Sequence, residues 1–468
     1  MKARSPSGAA DKSLHSLFSP GGALSGEAGN SPALQGREPS REGFNTMSIY
    51  DPTTRRQFLQ NGLTFVGLGL AMPTFLMRAA QAQAADPLAV SLPPIPTGKI
   101  LVVIEMSGGN DGLNTAIPYT DLGYAKARPV IGIPAKDVVK ISPKVGLHPN
   151  MSAFKPLYDK GQLAVITGVG YPNPNRSHFQ SMDVWQTGNP QVDVRERTGW
   201  LARYFDKDGH FNGNPLSGIT LGSALPLAMF SDTVPASVIG GGQDFGFVSN
   251  APDKMQQMEA LRALYAQGTV AGSNAEFVRN VGSEAYSSSL ELKKAFKDYD
   301  VKAAHAAPYP QSGLANGLQT ISKLITGGVG TRVYYLGMGG FDTHANQPRQ
   351  HANLLGELAE GLNAFYNDLA AQGRANDVIT MTFSEFGRRT KENGSAGTDH
   401  GAASVMFLAG GAVKGGIYGD YPSLTDLDDG DLRMHTDFRS VYATLLDKWL
   451  AAPSQPVLDG NFPHLNFV

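Results

Sequence analysis

Continuously apolar, β-branched segments alternate along this chain with segments of helical periodicity. The first apolar segment runs from Ile100 to Met106, and its lack of polar alternation predicts a strand that is buried on both faces. Further strand-like segments lie within 161–170, 331–344, 376–389 and 403–416, whereas 351–373 and 437–450 show helical spacing of their apolar residues. This order predicts an α/β fold, a three-layer sandwich in which a mainly parallel sheet is flanked by helices on both faces.

Polar side chains follow several of these strands at the point where each strand ends. Because the carboxyl ends of parallel strands meet at one edge of a sheet, where α/β proteins bind their ligands, we expect these side chains to converge. The candidates are Asp111, Asp342, His344, Glu385, Arg388, Asp399 and His400, together with Arg176 and Ser177 in the loop that follows 161–170.

Each candidate also has an ordinary structural interpretation. Asp111 could cap the glycine turn SGGNDG, Ser177 could be the N-cap of the next helix, and Glu385 and Arg388 could form a surface salt bridge. As a set, however, the candidates are rich in oxygen donors, include imidazoles and lack sulfur, because the chain has no cysteine. That set suits one or two divalent ions, Zn, Mn, Mg or Ca, with Zn or Mn favoured where imidazole takes part. The chemistry we expect is attack of an activated serine or water on phosphorus or sulfur.

Charge and motif spacing exclude several other classes of protein. The formal net charge is −2 and no long basic run is present, so nucleic acid is not expected as a partner. The turn SGGNDG lacks the spacing of a dinucleotide-binding loop, and no G-x-S-x-G elbow surrounds Ser177. The absence of cysteine excludes disulfides, thiolate zinc sites and thiol nucleophiles.

The N-terminal part of the chain predicts export. Residues 1–46 are rich in small and polar residues without periodicity, which indicates a disordered or mis-called extension. Arg55 and Arg56 then precede an apolar run that ends in small residues, and this pattern predicts a twin-arginine signal peptide over 47–84. The run is too short to span a membrane, so no integral membrane span is expected in the mature chain.

The mature chain is expected to form one domain. A Pro-rich linker covers 85–98, and the domain covers 99–468 with a cap or insertion near 205–310, where the strand pattern weakens. We expect the protein in the periplasm or outside the cell, after passage through the twin-arginine translocation machinery.

Several motifs together carry a resemblance to a known family. The segments SGGNDGLNTAIPY, NRSHFQSMDVWQTG, GGFDTH, SEFGR, ENGSAGTDHG and DFRSVYATLLDKWL resemble domain-of-unknown-function family 1501, over nearly the whole mature chain. That family is similar to the alkaline phosphatase superfamily, which includes sulfatases and cofactor-independent phosphoglycerate mutases. The resemblance implies divalent metals at the carboxyl edge of the sheet and a Ser, Thr or formylglycine nucleophile.

The resemblance also implies residue roles. Ser177 corresponds to the nucleophile; Asp342, His344 and His400 would hold one metal, and Asp111, Glu385 and Ser177 the other, with Asp399 as a helper or an added carboxylate. Phe386 stands where a histidine is usual, so His178, Asn110 or Asp399 would have to compensate, and two metals, one metal or none remain open.

The resemblance thus implies an exported, metal-dependent hydrolase that acts on an anionic ester of phosphate or sulfate. Arg176 or Arg388 would clamp the substrate, because a planar guanidinium suits tetrahedral oxyanions. The alternative is a catalytically degenerate binding or assembly protein that retains the same fold, and the phenylalanine at position 386 favours it.

Overall fold

The computed structural model describes residues 86–95, 97–191, 198–207, 213–231, 236–240, 253–302 and 308–468. The predicted N-terminal extension (1–46) and the predicted signal peptide (47–84) lie outside these residues. Within the described ranges, no helix is both long enough and apolar enough to cross a membrane.

The centre of the fold is a nine-stranded mixed sheet. In chain order, the strands of the structure are β1 (Ile100–Met106), β2 (Ala116–Ile117), β3 (Val139–Lys140), β4 (Gly146–Leu147), β5 (Leu163–Gly170), β6 (Gly218–Leu221), β7 (Ser237–Ile239), β8 (Val333–Met338), β9 (Val378–Phe383), β10 (Ser404–Ala409), β11 (Gly416–Tyr418), β12 (Leu427–Asp428), β13 (Asp431–Leu432) and β14 (Thr436–Asp437). The large sheet has the order β11-β5-β10-β9-β1-β8-β6-β7, and β14 pairs with β5. Strands β2, β4 and β3 form a small separate sheet, and β12 pairs with β13.

Helices cover both faces of the large sheet. They are α1 (Gly112–Thr115), α2 (Leu122–Ala127), α3 (Lys155–Asp159), α4 (His178–Thr187), α5 (Trp200–Lys207), α6 (Lys254–Tyr265), α7 (Asn274–Lys302), α8 (Gly313–Gly327), α9 (Gln347–Ala371), α10 (Phe438–Thr444) and α11 (Gln455–Leu458). Helix α10 continues into a π-helical turn, Leu445–Trp449, and short 3-10 turns occupy Pro149–Phe154, Leu227–Met229 and Ala375–Asp377.

Alternate residues of β1 pack into two different hydrophobic clusters. Val102 and Ile104 lie in the cluster that contains the apolar faces of α8 and α9. Leu101 and Val103 lie in the other cluster, together with residues of α4, α5 and α10. The two clusters are the two interfaces of a three-layer sandwich, because successive side chains of a strand point to opposite faces. The α/β architecture expected from the sequence is therefore confirmed.

The direction of one strand departs from a fully parallel sheet. Strand β1 is parallel to β8 and β9, whereas β10 runs antiparallel to both of its neighbours, β9 and β5. The carboxyl ends of β1, β5, β8 and β9 therefore share one edge with the amino end of β10. Loops that follow four strands and the loop that precedes β10 all meet at this edge.

Part of the range expected to be a cap belongs to the large sheet. Strands β6 and β7 extend the sheet beyond β8 in parallel orientation. Helix α7 contributes Leu292 and Ala295 to the cluster that also contains α8 and α9. The described residues of 205–310 are therefore at least partly integral to the sandwich.

Candidate metal centre

Three histidines and one aspartate meet at the shared edge of the sheet. Oδ1 of Asp342 lies 3.1 Å from Nε2 of His344 and 3.2 Å from Nε2 of His400, and its Oδ2 lies 3.5 Å from Nε2 of His178. The two Nε2 atoms of His344 and His400 are 2.9 Å apart. Ligand atoms of His178, Asp342 and His400 all lie within 4.8 Å of one another. We refer to these four residues as the His–Asp cluster.

The ends of regular elements position the members of the cluster. Asp342 and His344 follow β8, and His400 precedes β10. His178 is the first residue of α4. The loop after β1 passes close beneath Asp342 because Gly108 has a φ of +120°, and a Cβ there would lie 2.3 Å from the main-chain nitrogen of Asp342.

The outward-facing ring nitrogen of each histidine lies near an oxygen acceptor. These contacts are His178 Nδ1 with Glu385 Oε1 at 2.8 Å, His400 Nδ1 with the main-chain oxygen of Arg176 at 2.9 Å, and His344 Nδ1 with Asp399 Oδ1 at 3.4 Å. An Nδ1–H that donates to such an acceptor leaves the lone pair on Nε2. All three Nε2 atoms then present lone pairs towards Asp342. Metal-ligating histidines are held in this way by a carboxylate or a carbonyl on their other nitrogen.

The charge states of the cluster suit a cation. Burial opposes the ionisation of Asp342, but the hydrogen bond from the Arg388 guanidinium and the contact with His400 outweigh it and lower the pKa of Asp342 to about 2. Burial also lowers the pKa of the His400 imidazole, although its contacts with the Arg176 carbonyl and Asp342 oppose this. At neutral pH the two residues are therefore a carboxylate and a neutral imidazole, the forms that ligate metals.

Glu385 is a buried support for the cluster. Its carboxylate accepts hydrogen bonds from the main-chain nitrogens of Gly108, at 2.8 Å, and Gly109, at 3.1 Å, as well as from Ser384 Oγ at 3.1 Å. Its remaining contact is the one with His178. Glu385, predicted from the sequence as a ligand, thus contacts the cluster through His178.

Asp111 is enclosed by a separate set of donors. Its side chain is 1% exposed and forms an ion pair with Arg128, which is itself buried. Gln347 donates a second hydrogen bond to the same oxygen. Burial opposes its ionisation, and Arg128 outweighs burial, so the pKa of Asp111 is lowered. The structure does not place this predicted ligand among the contacts of the His–Asp cluster.

The two arginines expected to clamp a substrate lie in different surroundings. Arg388 is fully enclosed, and its Nη2 donates to Asp342 Oδ1 at 2.7 Å, so it is a structural neighbour of the cluster and cannot reach a substrate in this arrangement. Arg176 is half-exposed and pairs with Asp431 and, at 3.7 Å, with Asp429. It lines a cavity of about 840 Å³ together with residues 170–175, 402–403, 428–429 and 431–434.

Ser177 and Asp399 lie at the margin of the cluster. Ser177 is the N-cap residue of α4, and its side chain makes no capping hydrogen bond, so its hydroxyl is not engaged in that usual role. Its main-chain nitrogen donates to Asn175 Oδ1 at 2.7 Å. Asp399 is exposed, and it contacts His344 and accepts a hydrogen bond from Asn393 Nδ2 at 3.1 Å. Ser177 as nucleophile and Asp399 as helper carboxylate stay predictions.

The sequence alone did not reveal how central His178 is to the cluster or what Phe386 does there. Sequence reasoning named His178 only as a possible substitute ligand, although it is a central member of the cluster. One feature of the sequence did point to His178. It directly follows Ser177, a predicted N-cap at the sheet edge, and must therefore lie close to that serine. Phe386 is 1% exposed, and its ring lies 4.9 Å from the ring of His178 and 4.6 Å from that of His400. It packs against both imidazoles and supplies no ligand.

Fold and site together define a three-layer α/β protein with a candidate metal centre at the carboxyl edge of its sheet. Residues 98–450 match the family model described as "Protein of unknown function (DUF1501)". The chain belongs to that family, as its motifs led us to expect. No functionally curated protein matches the sequence.

Solved structures similar to this chain include members of the alkaline phosphatase superfamily. One is a protein of that superfamily from Vibrio parahaemolyticus, with 10% identity, a TM-score of 0.34, and coverage of 82% of this chain and 76% of that one. Another is the PsFucS1 sulfatase from a Pseudoalteromonas species, with 11% identity, a TM-score of 0.34, and coverage of 79% and 71%. The lipoteichoic acid synthase LtaP from Listeria monocytogenes has 10% identity, a TM-score of 0.30, and coverage of 75% and 78%. At these values the similarities assign no residue roles to this chain.

Proposed function

We propose that the protein is an exported, metal-dependent hydrolase of phosphate or sulfate esters, with Ser177 as its nucleophile. The observation that carries the proposal is the common orientation of the three histidines. Each has Nδ1 near an oxygen acceptor and Nε2 near Asp342. In this orientation the three Nε2 lone pairs converge on one carboxylate, as expected of a site built for a cation, and one protein donor, Nη1 of Arg388, lies 3.5 Å from Nε2 of His344.

The donor set fits a particular group of ions. Three imidazole nitrogens and one carboxylate suit Zn or Mn, whereas Mg and Ca prefer sites made of oxygen atoms. His178, Asp342, His344 and His400 would hold the ion. When bound, it would supply Lewis-acid stabilisation of the charge that develops during ester cleavage.

Ser177 would supply the attacking oxygen. Its Oγ would bond to phosphorus or sulfur, the bond from that atom to the alcohol oxygen would break, and the serine proton would pass in net to the departing alcohol. Water would then cleave the ester on Ser177, which restores the hydroxyl and releases phosphate or sulfate. The main-chain N–H groups in the first turn of α4 would attract the anionic group, because the N-terminus of a helix favours anions.

Arg176 is the remaining candidate for a substrate clamp, since Arg388 is enclosed. Its side chain is 39% exposed and borders the cavity beside the cluster. The ester would enter from that side, and Arg176 would exchange part of its pairing with Asp431 for a bidentate contact with the tetrahedral anion.

Export is proposed on the sequence pattern of 47–84. The twin arginines, the short apolar run and the small residues at its end indicate delivery to the periplasm or the exterior through the twin-arginine translocation machinery. Fusion of residues 47–84 to a reporter that is active only after export should give activity. Replacement of Arg55 and Arg56 by lysine should abolish that activity, and export that persists in this variant would contradict the proposal.

Bound metal and turnover test the enzymatic proposal. Residues 85–468 would be purified, loaded with Zn or Mn, analysed for metal content and screened against aryl phosphate and aryl sulfate esters. Ser177→Ala should abolish turnover and leave metal content unchanged. Ser395→Ala, in an exposed part of the loop before β10, is the matched control and should retain activity. A protein that binds neither metal would refute the proposal.

A second candidate function is a binding or assembly protein that retains the fold without catalysis. Two observations favour it: Phe386 packs against the cluster without offering a ligand, and Arg128 holds the predicted ligand Asp111. Stoichiometric metal binding without turnover in the ester screen would favour this candidate over a hydrolase.

A further inference from the structure

The guanidinium of Arg388 lies inside a cage of oxygen atoms. Its side chain is 0% exposed. Four main-chain carbonyls and one carboxylate accept its hydrogen bonds: Gly109 O at 2.7 Å, Thr398 O at 2.9 Å, Phe341 O at 3.0 Å, Asp342 Oδ1 at 2.7 Å, and Gly108 O. Its Nη1 also lies 3.5 Å from Nε2 of His344. The guanidinium therefore borders the His–Asp cluster directly.

The chemistry of this cage is that of a cation site. Carbonyl and carboxylate oxygens that converge from several loops are the ligands that hard cations take in proteins. Here the carbonyls come from the loop after β1, the loop after β8 and the loop before β10, which are the loops that position the cluster. Without a positive charge at their centre, these buried oxygens would face one another, although Phe341 O also accepts a hydrogen bond from the main-chain nitrogen of Thr343 at 2.8 Å.

Two of the three residues predicted for a second metal, Glu385 and Asp111, are also occupied by protein donors. Both oxygens of Glu385 accept hydrogen bonds from the main chain of the β1 loop. Asp111 is paired with Arg128. A second divalent ion on the Arg388 side of Asp342 would have to occupy the space that the guanidinium fills, and like charges at such a distance repel strongly.

We infer that Arg388 is a built-in cation: its guanidinium fills the oxygen cage beside the His–Asp cluster, so that this edge of the sheet holds one metal ion and not two. Arg388 acts through Asp342 as a positioning residue, because the N–H donors of its planar guanidinium hold Oδ1 and the adjoining carbonyls in one arrangement. The inference rests on the proposed function for the metal itself. It adds to that proposal how many metal ions the site holds and why it holds that number.

Metal content of the unaltered protein is the first test. Residues 85–468 would be saturated with Zn, freed of excess metal and analysed for metal per chain. We expect one ion. Two ions would overturn this inference and leave the proposed function intact, whereas no bound ion would overturn the proposed function and the metal count with it.

Variants of the two buried arginines test the positioning role. Arg388→Met and Arg128→Met each remove a buried guanidinium that pairs with an aspartate, but only Arg388 contacts the cluster. Both variants should unfold at lower temperature than the unaltered protein. Only Arg388→Met should lower Zn affinity, by tenfold or more in a competition assay with a chromogenic chelator. Arg388→Lys keeps the charge and should recover part of that loss.

Two results would count against the positioning role. One is Zn affinity of Arg388→Met that equals that of Arg128→Met. The other is an equal loss of affinity in Arg388→Lys and Arg388→Met, because the charge would then contribute nothing. Should Arg388→Met fail to fold, the comparison of Arg388→Lys with Arg128→Lys decides the same question.

Discussion

His351 offers a test of the interior beneath the candidate site. It lies on α9, is 1% exposed, and its Nε2 donates to Asn110 Oδ1 at 2.9 Å. Its ring also meets those of His148 and Phe341 edge-on. Burial lowers the pKa of His351 to about 4, and the nearby Asp111 only partly opposes this. We predict that protonation of this residue on unfolding makes the protein less stable at mildly acidic pH.

The sign and size of the effect follow from the two pKa values. The pKa of His351 is about 4 in the folded protein and 6.5 in the unfolded chain, so the unfolded state binds more protons between these values. Stability must then fall as the pH falls through this window. Between pH 7.5 and pH 5.0 the expected loss from this one residue is about 2 kcal/mol, and it approaches about 3 kcal/mol near pH 4.

Denaturant unfolding of the unaltered chain and of His351→Gln measures this loss. Metal-free protein would be used at both pH values, because bound metal would also respond to pH. At pH 7.5 the difference between the two proteins reports lost packing. The change in that difference between pH 7.5 and pH 5.0 reports the titration of His351. The pKa of His148 is also lowered to about 4 by burial, but His148 is present in both proteins and its contribution cancels. Equal losses of stability in the two proteins would refute the reasoning.

Further predictions concern the loops and the ligands. Gly108→Ala should destabilise the protein by at least about 2 kcal/mol in thermal or denaturant unfolding, because its φ of +120° and the contact with Asp342 exclude a side chain. In metal titrations, Asp399→Asn should lower Zn affinity by about ten- to a hundredfold, as expected for a residue that orients a ligand, and His400→Ala should lower it further. Asp368→Ala leaves three buried hydroxyls without an acceptor and should reduce denaturant stability by about 3 kcal/mol with unchanged Zn affinity.

The sequence predicted the sandwich and part of the cluster because two simple rules applied. The continuous apolar run of β1 required cover on both faces, and the spacing of apolar residues on α9 and on α10 predicted one helix for each face. The rule that parallel strands end at one edge brought Asp342, His344 and His400 together. The antiparallel direction of β10 was not predicted, because a continuous apolar run does not indicate whether a buried strand is parallel or antiparallel to its neighbours. That direction places His400 before a strand and still at the common edge.

Partners distant in sequence decide the surroundings of the predicted site residues. Arg128 is 17 residues from Asp111, and Gly108 is 277 residues from Glu385. Nothing in the local pattern of either acid reveals these contacts. The surroundings of His178 were missed for a related reason, because its Nδ1 contacts Glu385, which lies 207 residues away.

The degree of burial distinguishes the acids that support this site from the acid that is accessible to a bound ion. A carboxylate deep in a protein must be paired, since the interior does not solvate its charge. Asp111 and Glu385 are each 1% exposed, and their oxygens face guanidinium, amide or main-chain donors. Asp342 is 47% exposed and directs both oxygens towards imidazoles as well as towards Arg388. Secure pairing thus removes an acid from the candidate metal ligands, whereas Asp342, which a single arginine holds at the rim, remains available.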